Sequence, residues 1–470
     1  MQPKMIDKNK YVIERTGDMK VPAYIYINDE LLSKINDEPL RQLMNVASLP
    51  GIVKAAYAMP DIHLGYGFPI GGVAAFDYDE GIVSPGGVGY DINCGVSLIK
   101  TNISYNDAKS RIKDLIDEIF KNVPAGIDLK SSFRVNKNDM TDILSDGIKW
   151  AVSKGYGTER DIESTEENGS MNSNPDKVSE KAISRGINEV GSLGGGNHFL
   201  EIQKVDRIFD ERTARYFGIE KDNIMIMVHT GSRGLGHQVA TDYLMELNEK
   251  SDIKVKDRQL ISAYTKSGIG ESYIMAMNSA ANFGFVNRQI ILYKIRRAFE
   301  SVFKKDFESL GLDLVYSLAH NMAKIEEHNI DNKRLKLIVH RKGATRAFPA
   351  GYSTGKFKNT GHPVLIPGDM GTASYVLTGN KNNMEMSFGS SCHGAGRALS
   401  RKKANDAFNP DDVLKNLGNH GIYVRAASSK VITEEAPGSY KDIDEVIKIV
   451  SELGMSNIIS RHVPLGVMKG

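Results

Sequence analysis

The run Ser391-Cys392-His393-Gly394-Ala395-Gly396-Arg397 sets an imidazole among small residues, with a guanidinium four positions on. That combination suits a nucleophile that attacks a phosphorus atom. The two glycines remove side-chain bulk, so a polyphosphate can approach the backbone and its oxygens can meet N–H groups. Arg397 adds a planar cation matched to phosphate. A histidine in a Gly-rich turn would look the same, so the other polar clusters of the chain decide between the two readings.

Asp91-Ile92-Asn93-Cys94 follows Gly86-Gly87-Val88-Gly89-Tyr90. In a tight turn, an acid and a thiol three positions apart can converge on one cation, and a thiolate can bridge two. A buried cysteine used only for packing is the competing reading. Asn197-His198-Phe199-Leu200-Glu201 follows three glycines and opens into an apolar stretch. This predicts His198 at a loop-to-strand junction, with Glu201 close by and Asn197 free to donate to phosphate. His229 closes the apolar run Ile224–Val228, and His320 closes Leu314–Ala319. Three histidines at the ends of three apolar segments point to a metal cluster. Imidazole and thiolate suit zinc, whereas carboxylate and phosphate oxygens suit manganese or magnesium. Five ligands with one possible bridge fit a two-metal site, which can clamp both oxygens of a phosphoryl transfer.

The elements that must position these groups are short strands and a few helices. Ile224–Val228, Leu314–Ala319 and Leu335–Val339 read as strands. Ile112, Leu115, Ile116, Ile119, Phe120 and Val123 recur at helical spacing, with Pro124 and Gly126 as the stop. A second helix is predicted from about Ala280 to Phe303, with Lys294, Arg296 and Arg297 on a solvated face. The polar stretch 164–177 reads as a mobile surface loop. Because the polar, Gly-rich loops are spread from residue 60 to residue 470, the site draws on distant segments. The expected fold is therefore α+β: one large mixed α/β catalytic domain over residues 1–470, with mixed sheets surrounded by helices.

Composition excludes several classes. The 470 residues are 41% apolar and 25% charged, and 60 basic residues nearly balance 58 acidic ones. A net charge of +2 rules out bulk polyanion binding, so any nucleic-acid contact must be a local basic groove. Two cysteines, Cys94 and Cys392, cannot build a disulfide framework and fit a reducing compartment. No apolar run approaches the ~20 residues that span a bilayer, so no membrane partner and a cytoplasmic location are expected.

Taken together, these runs resemble the RtcB-type tRNA-splicing ligases. Met59–Gly67, Gly86–Val96, Gly194–Glu201, His229–Gly236, His320-Asn321, Arg341–Arg346, Pro367–Tyr375, the His393 heptad and Leu465–Gly470 all take part. The resemblance implies Asp91, Cys94, His198, His229 and His320 as ligands of two Mn(2+) ions, with Cys94 bridging. It implies that His393 becomes guanylylated by GTP. Nucleotide contacts are implied for Asn197, His198, Phe199, Leu200, Glu201, His320, Asn321, Pro367, Gly368, Asp369, Met370, Ser374, His393, Gly394, Ala395, Gly396 and Lys469. Glu201 suits guanine, which offers two adjacent N–H donors. Asp369 stands where some relatives have serine, which leaves its contact open between the base and a direction away from it.

The implied activity is GTP-dependent joining of RNA 3′-phosphate or 2′,3′-cyclic phosphate ends to 5′-hydroxyl ends, in tRNA splicing and RNA repair, with an archease-type activator as a possible partner. RNA would lie along Arg233, Arg341, Lys342, Arg346, Arg397 and Arg401. His63 has no assigned role, and His237, His328, His340, His362, His420 and His462 read as structural or exposed. The competing readings are a metal-dependent RNA end-processing phosphoesterase without a nucleotide adduct, and a non-enzymatic RNA scaffold.

Overall fold

The apolar run Ile224–Val228 becomes the middle of a strand, Asn223–Thr230, that is buried on both faces. In the computed structural model, which describes residues 3–126 and 131–470, this strand lies inside an eight-stranded sheet. The order is Asp313–Ala319, Gly95–Ser104, Asn223–Thr230, Phe199–Ile208, Ser456–Lys469, Ser374–Gly379 and Pro363–Ile366, with Tyr423–Ala426 pairing alongside Ser456–Lys469. Neighbours along the main path are antiparallel, and Tyr423–Ala426 runs parallel to its partner.

Register is what matters for the site. Gly95 pairs with both Ala319 and Thr230, and Phe199 pairs with His229. The ends of four adjacent strands therefore coincide, bringing Cys94, His198, His229 and His320 together from four distant stretches of chain.

A seven-stranded mixed sheet is the second layer. It runs Lys4–Asp7, Lys10–Ile13, Ala23–Tyr26, Ile52–His63, Ile70–Asp77, Lys333–Lys342 and Asn321–Ile330. A small two-stranded pairing of Ala344–Arg346 with Ser390–Cys392 carries His393 at its end. One apolar core runs from Ala23–Ile27 through the long helix to Ile443–Val450, which ties the layers into one α+β unit.

The helix over Ile112–Asn122 forms as its spacing predicts. The long helix spans Gly268–Phe303, starting well before Ala280, with Ser267 accepting the Gly270 N–H as its cap. Its first half lacks an amphipathic stripe because polar residues there are buried too. Asn282, for example, donates to Leu144 O (2.9 Å) and Met171 O (3.0 Å). The solvated basic face holds for Arg297 only. Arg296 is buried in a two-pronged pair with Asp161 (2.7 and 2.8 Å), and Lys294 donates to Gly191 O (2.7 Å).

The stretch 164–177 is also corrected, because it is not a surface loop throughout. Ser164, Thr165 and Glu166 are buried, and Glu166 pairs with Lys324 (2.6 Å) and Arg346 (3.1 Å). Its polar residues find their partners inside the protein, so low hydrophobicity was a poor guide to exposure.

Candidate active site

The strand ends enclose a cavity of about 410 Å³. Two overlapping donor groups stand beside it, Asp91, Cys94 and His198, and Cys94, His229 and His320, and all of these except His198 line its wall. Within each group all donor atoms are within 4.8 Å of one another. Cys94 Sγ stands 3.3 Å from His198 Nε2 and 3.2 Å from His229 Nε2, and the Nε2 atoms of His229 and His320 are 3.1 Å apart. Cys94 thus belongs to both groups. A Cβ at Gly95 would lie 1.8 Å from Leu318 O, so only glycine lets the chain turn into the sheet directly after Cys94.

These residues fit a cation site. Burial holds the pKa values of His229 and His320 well below the usual imidazole value, helped by neighbouring histidines, so both rings present lone pairs. His229 Nδ1 is 3.1 Å from Asn197 O, which holds a proton there and leaves Nε2 open toward the cluster. Burial, then the Asp91 charge, pushes the Cys94 thiol well up. Asp91 Oδ2 is buried without a hydrogen bond, though it stands 2.9 Å from His198 Nε2. Lone-pair donors crowded this closely repel one another unless cations lie between them.

Behind the ligands sits Arg288, which sequence reading missed. It is buried and donates to Asn93 O (2.7 Å), Thr230 O (2.9 Å) and Ser317 Oγ (3.0 Å). It therefore fixes the backbone next to Cys94 and next to His229. Its only sequence signal was an arginine in a helix whose neighbours are largely apolar.

His393 enters the same cavity from the other layer. Its Nδ1 is 2.5 Å from Asp61 Oδ2, which also accepts the His393 backbone N–H (3.0 Å). Asp61 is fully buried. Burial pushes its carboxyl up, but His393 and Lys441 outweigh that and hold its pKa below the usual value. Lys441 in turn donates to Pro60 O (3.1 Å) and Ile62 O (2.5 Å), clamping the strand on both sides of Asp61. The imidazole is thereby oriented through Nδ1, which leaves Nε2 as the nitrogen not engaged by Asp61. Gly396 has φ +73°, and a Cβ there would lie 2.3 Å from Asp61 O, so the glycine permits this contact between loop and strand. Asp61 had stood only as part of a motif, without a role. The His63 ring lies 6.4 Å from the His393 ring and also lines the cavity.

The opposite wall is formed where the last strand pairs with Phe199–Ile208, Lys469 against Phe199 and Val467 against Glu201. Glu201 is buried, and burial pushes its pKa up to about 7. Gln203 donates to it (2.7 Å) and to Ser374 Oγ (3.1 Å). Lys469 Nζ is 3.4 Å from Glu435 Oε2, and Glu435 also pairs with Arg397 (2.9 Å) and Tyr440. Glu435 was missed because Glu434-Glu435 reads as a solvated acidic pair. Asp369 Oδ1 accepts the backbone N–H groups of Gly371 (2.8 Å) and Thr372 (3.0 Å). One of its oxygens therefore serves its own turn.

Of the residues expected at a nucleotide, Asn197, Phe199, Glu201, His320, Asn321, Pro367–Met370, His393–Gly396 and Lys469 line this cavity. Leu200 instead packs in the core, Ser374 stands behind Gln203, and His198 lines an adjoining depression. Among the expected RNA contacts, Arg397 and Arg401 line the cavity and Arg233 the adjoining depression. Lys342 lines the cavity too, but its Nζ donates to Tyr66 O (2.6 Å) and Gly86 O (2.9 Å). Arg341 and Arg346 are corrected. Arg341 is buried against Glu326 (2.7 and 2.9 Å), and Arg346 is paired with Glu166 and Glu167, so neither guanidinium is available to RNA phosphate.

A family model described as tRNA-splicing ligase RtcB matches residues 42–470. The chain belongs to the RtcB family. It is 52% identical to the tRNA-splicing ligase RtcB of Thermococcus kodakarensis over 475 aligned residues, covering 99% of this chain and 98% of that protein. It is 49% identical to the Methanococcus maripaludis protein of the same name, covering 96% and 95% of the two chains. It is likewise 49% identical to the Nanoarchaeum equitans protein, covering 99% and 98%. RtcB membership thus spans both walls of the cavity, including the C-terminal strand that carries Lys469. Among the described residues, no helix is long and apolar enough to cross a membrane.

Proposed function

We propose that this chain is a GTP- and Mn(2+)-dependent RNA ligase that joins 3′-phosphate or 2′,3′-cyclic phosphate ends to 5′-hydroxyl ends. The observation that supports this most is the Asp61–His393 pair, whose imidazole opens into the cavity that Asp91, Cys94, His229 and His320 of the donor cluster also line. A cation site beside an oriented imidazole is what nucleotidyl transfer through histidine requires. The names of the relatives, all tRNA-splicing ligases, point to the same class.

His393 Nε2 attacks the α-phosphorus of GTP, the bond to pyrophosphate breaks, and a phosphoramidate to GMP forms. Asp61 keeps the Nδ1 proton in place and offsets the charge that develops on the ring. An oxygen of the RNA 3′-phosphate then displaces His393 and takes up the GMP. The 5′-hydroxyl, losing its proton, attacks the RNA phosphorus; GMP leaves and a 3′–5′ phosphodiester remains. A cyclic phosphate is opened by water beforehand. Manganese, held by Asp91, Cys94, His198, His229 and His320, would supply charge neutralisation at the phosphates. Glu201 accepts from the guanine N1–H and N2–H pair, and the Lys469 charge favours its ionised form against the burial that pushes its pKa up.

Incubation with GTP labelled at the α-phosphate and manganese should leave label on the polypeptide that is acid-labile and alkali-stable. Absence of label, or equal label on His393→Ala, would leave the adduct-free phosphoesterase as the better reading.

A further inference from the structure

The donor cluster is shared by two depressions. The second, about 790 Å³, has Asp91, Cys94 and Asn197 in common with the cavity but contains neither Glu201, Lys469 nor the Pro367–Met370 loop. It also lacks His393. A group placed there reaches the cation site without reaching the nucleotide wall or the residue proposed to carry GMP.

At its rim stand the Tyr90 and His237 rings, which the proposed chemistry does not use, with Tyr66 of the neighbouring cavity wall behind them. Tyr66 meets Tyr90 edge-on at 5.2 Å, and Tyr90 stacks on His237 at 4.7 Å with an interplanar angle of 23°. His237 projects from the first turns of the helix Arg233–Lys250 and is exposed. Lys342 anchors the base of the stack through Tyr66 O. The surroundings are cationic: Arg185 and Arg233 have no ion pair among the described residues, and Arg401 lies 3.9 Å from its nearest carboxylate. Besides Asp91 of the donor cluster, Glu189 is an acid on this wall, and its Oε2 accepts the Gly234 N–H (2.7 Å).

Flat rings carried by a rigid support, within a cationic rim, are what an unpaired nucleobase on a phosphate backbone recognises. Resting on the function proposed above, we infer that this depression receives the 5′-hydroxyl RNA strand, with its terminal base stacked on His237 and Tyr90 beneath. The assignment to that strand follows from the walls. The 3′-phosphate must meet His393 to take up GMP, whereas the 5′-hydroxyl end is never guanylylated and needs only the cation side. A separate groove of about 760 Å³, past His63, Leu64 and Lys403, shares His63 and Arg397 with the cavity and leads toward His393. That route suits the other strand.

The test joins two oligonucleotides, varying the 5′-hydroxyl strand between an intact and an abasic first nucleotide. With the wild-type protein the abasic strand should show a KM about tenfold higher, the loss of one base–aromatic stack. His237→Ala should raise the KM of the intact strand by a similar factor and erase the difference between the two strands. His237→Phe should restore it. The KM of the 3′-phosphate strand and the rate of GTP labelling should stay at wild-type values, which also reports correct folding. An unchanged KM in His237→Ala, an abasic penalty that persists in it, or an effect confined to the 3′-phosphate strand would overturn the inference. If the wild-type protein takes no GTP label, the ligase reading fails. The stacking site is then tested by binding alone, through quenching of a terminal 2-aminopurine that His237→Ala should abolish.

Discussion

Two buried polar clusters of similar make-up behave in opposite ways. Around Glu326, each charge is met: Arg341 takes both of its oxygens, and His328 lies 3.0 Å away. Glu166 and Glu167 are likewise matched by Lys324 and Arg346. Around Cys94, five donors crowd together, and among the described residues none of them is ion-paired with a lysine or arginine side chain; Arg288 behind them is spent on two backbone carbonyls and a hydroxyl. A cluster that closes on itself holds the fold, whereas one that is short of positive charge is built to receive it. Residue type alone does not separate the two.

The largest expected effect is at the shared donor. Cys94→Ala should remove bound manganese, measured by metal analysis after desalting, and lower ligation by at least about 10³-fold, with little change in Tm. Arg341→Met is the mirror test. It should destabilise the fold by about 3–5 kcal/mol in denaturant titration while ligation per folded molecule persists. If Cys94→Ala unfolded the protein and Arg341→Met silenced folded enzyme, the comparison would be inverted.

Asp61→Asn keeps a hydrogen-bonding group beside His393 but favours the wrong tautomer. GTP labelling should slow by about 10³-fold, with Mn(2+) stoichiometry unchanged. A label rate near wild type would reduce Asp61 to packing.

A smaller effect should appear in stability against pH. Burial raises the Glu166 pKa, but Lys324 and Arg346 outweigh burial and bring it down to about 2, from an ordinary value of 4.5. Because the folded value is the lower one, its contribution is present above about pH 4.5 and is lost as pH falls toward 2. The loss amounts to roughly 3 kcal/mol at most. Unfolding free energies from pH 6 to pH 2 should show it, and Glu166→Gln should lack that part of the slope. The smallest change is expected from Glu201→Gln: about tenfold weaker GTP binding and a narrower preference over ATP, read by competition for labelling.

Much of the site was legible because its donors are rare residues placed at the ends of apolar runs. His229 after Ile224–Val228 and His320 after Leu314–Ala319 announce both a strand and its end. The positioning residues were not legible. Asp61 lies within a strand of the other layer, Glu435 resembles a surface acid, and Arg288 is a cation in a helix segment buried on all sides. Each acts through contacts with residues far away in the chain.

The amino-acid order alone determined which groups could bind cations and phosphate, because ionic character and loop glycines are local properties. Tertiary structure decided which charges are already neutralised. Arg341 and Arg233 look equivalent in the chain, yet one is sealed against Glu326 and the other borders the depression beside the donor cluster with no ion pair among the described residues. The reason is physical: the worth of a charge depends on its nearest partners and its access to water, and both are set only when strands from different parts of the chain pack together.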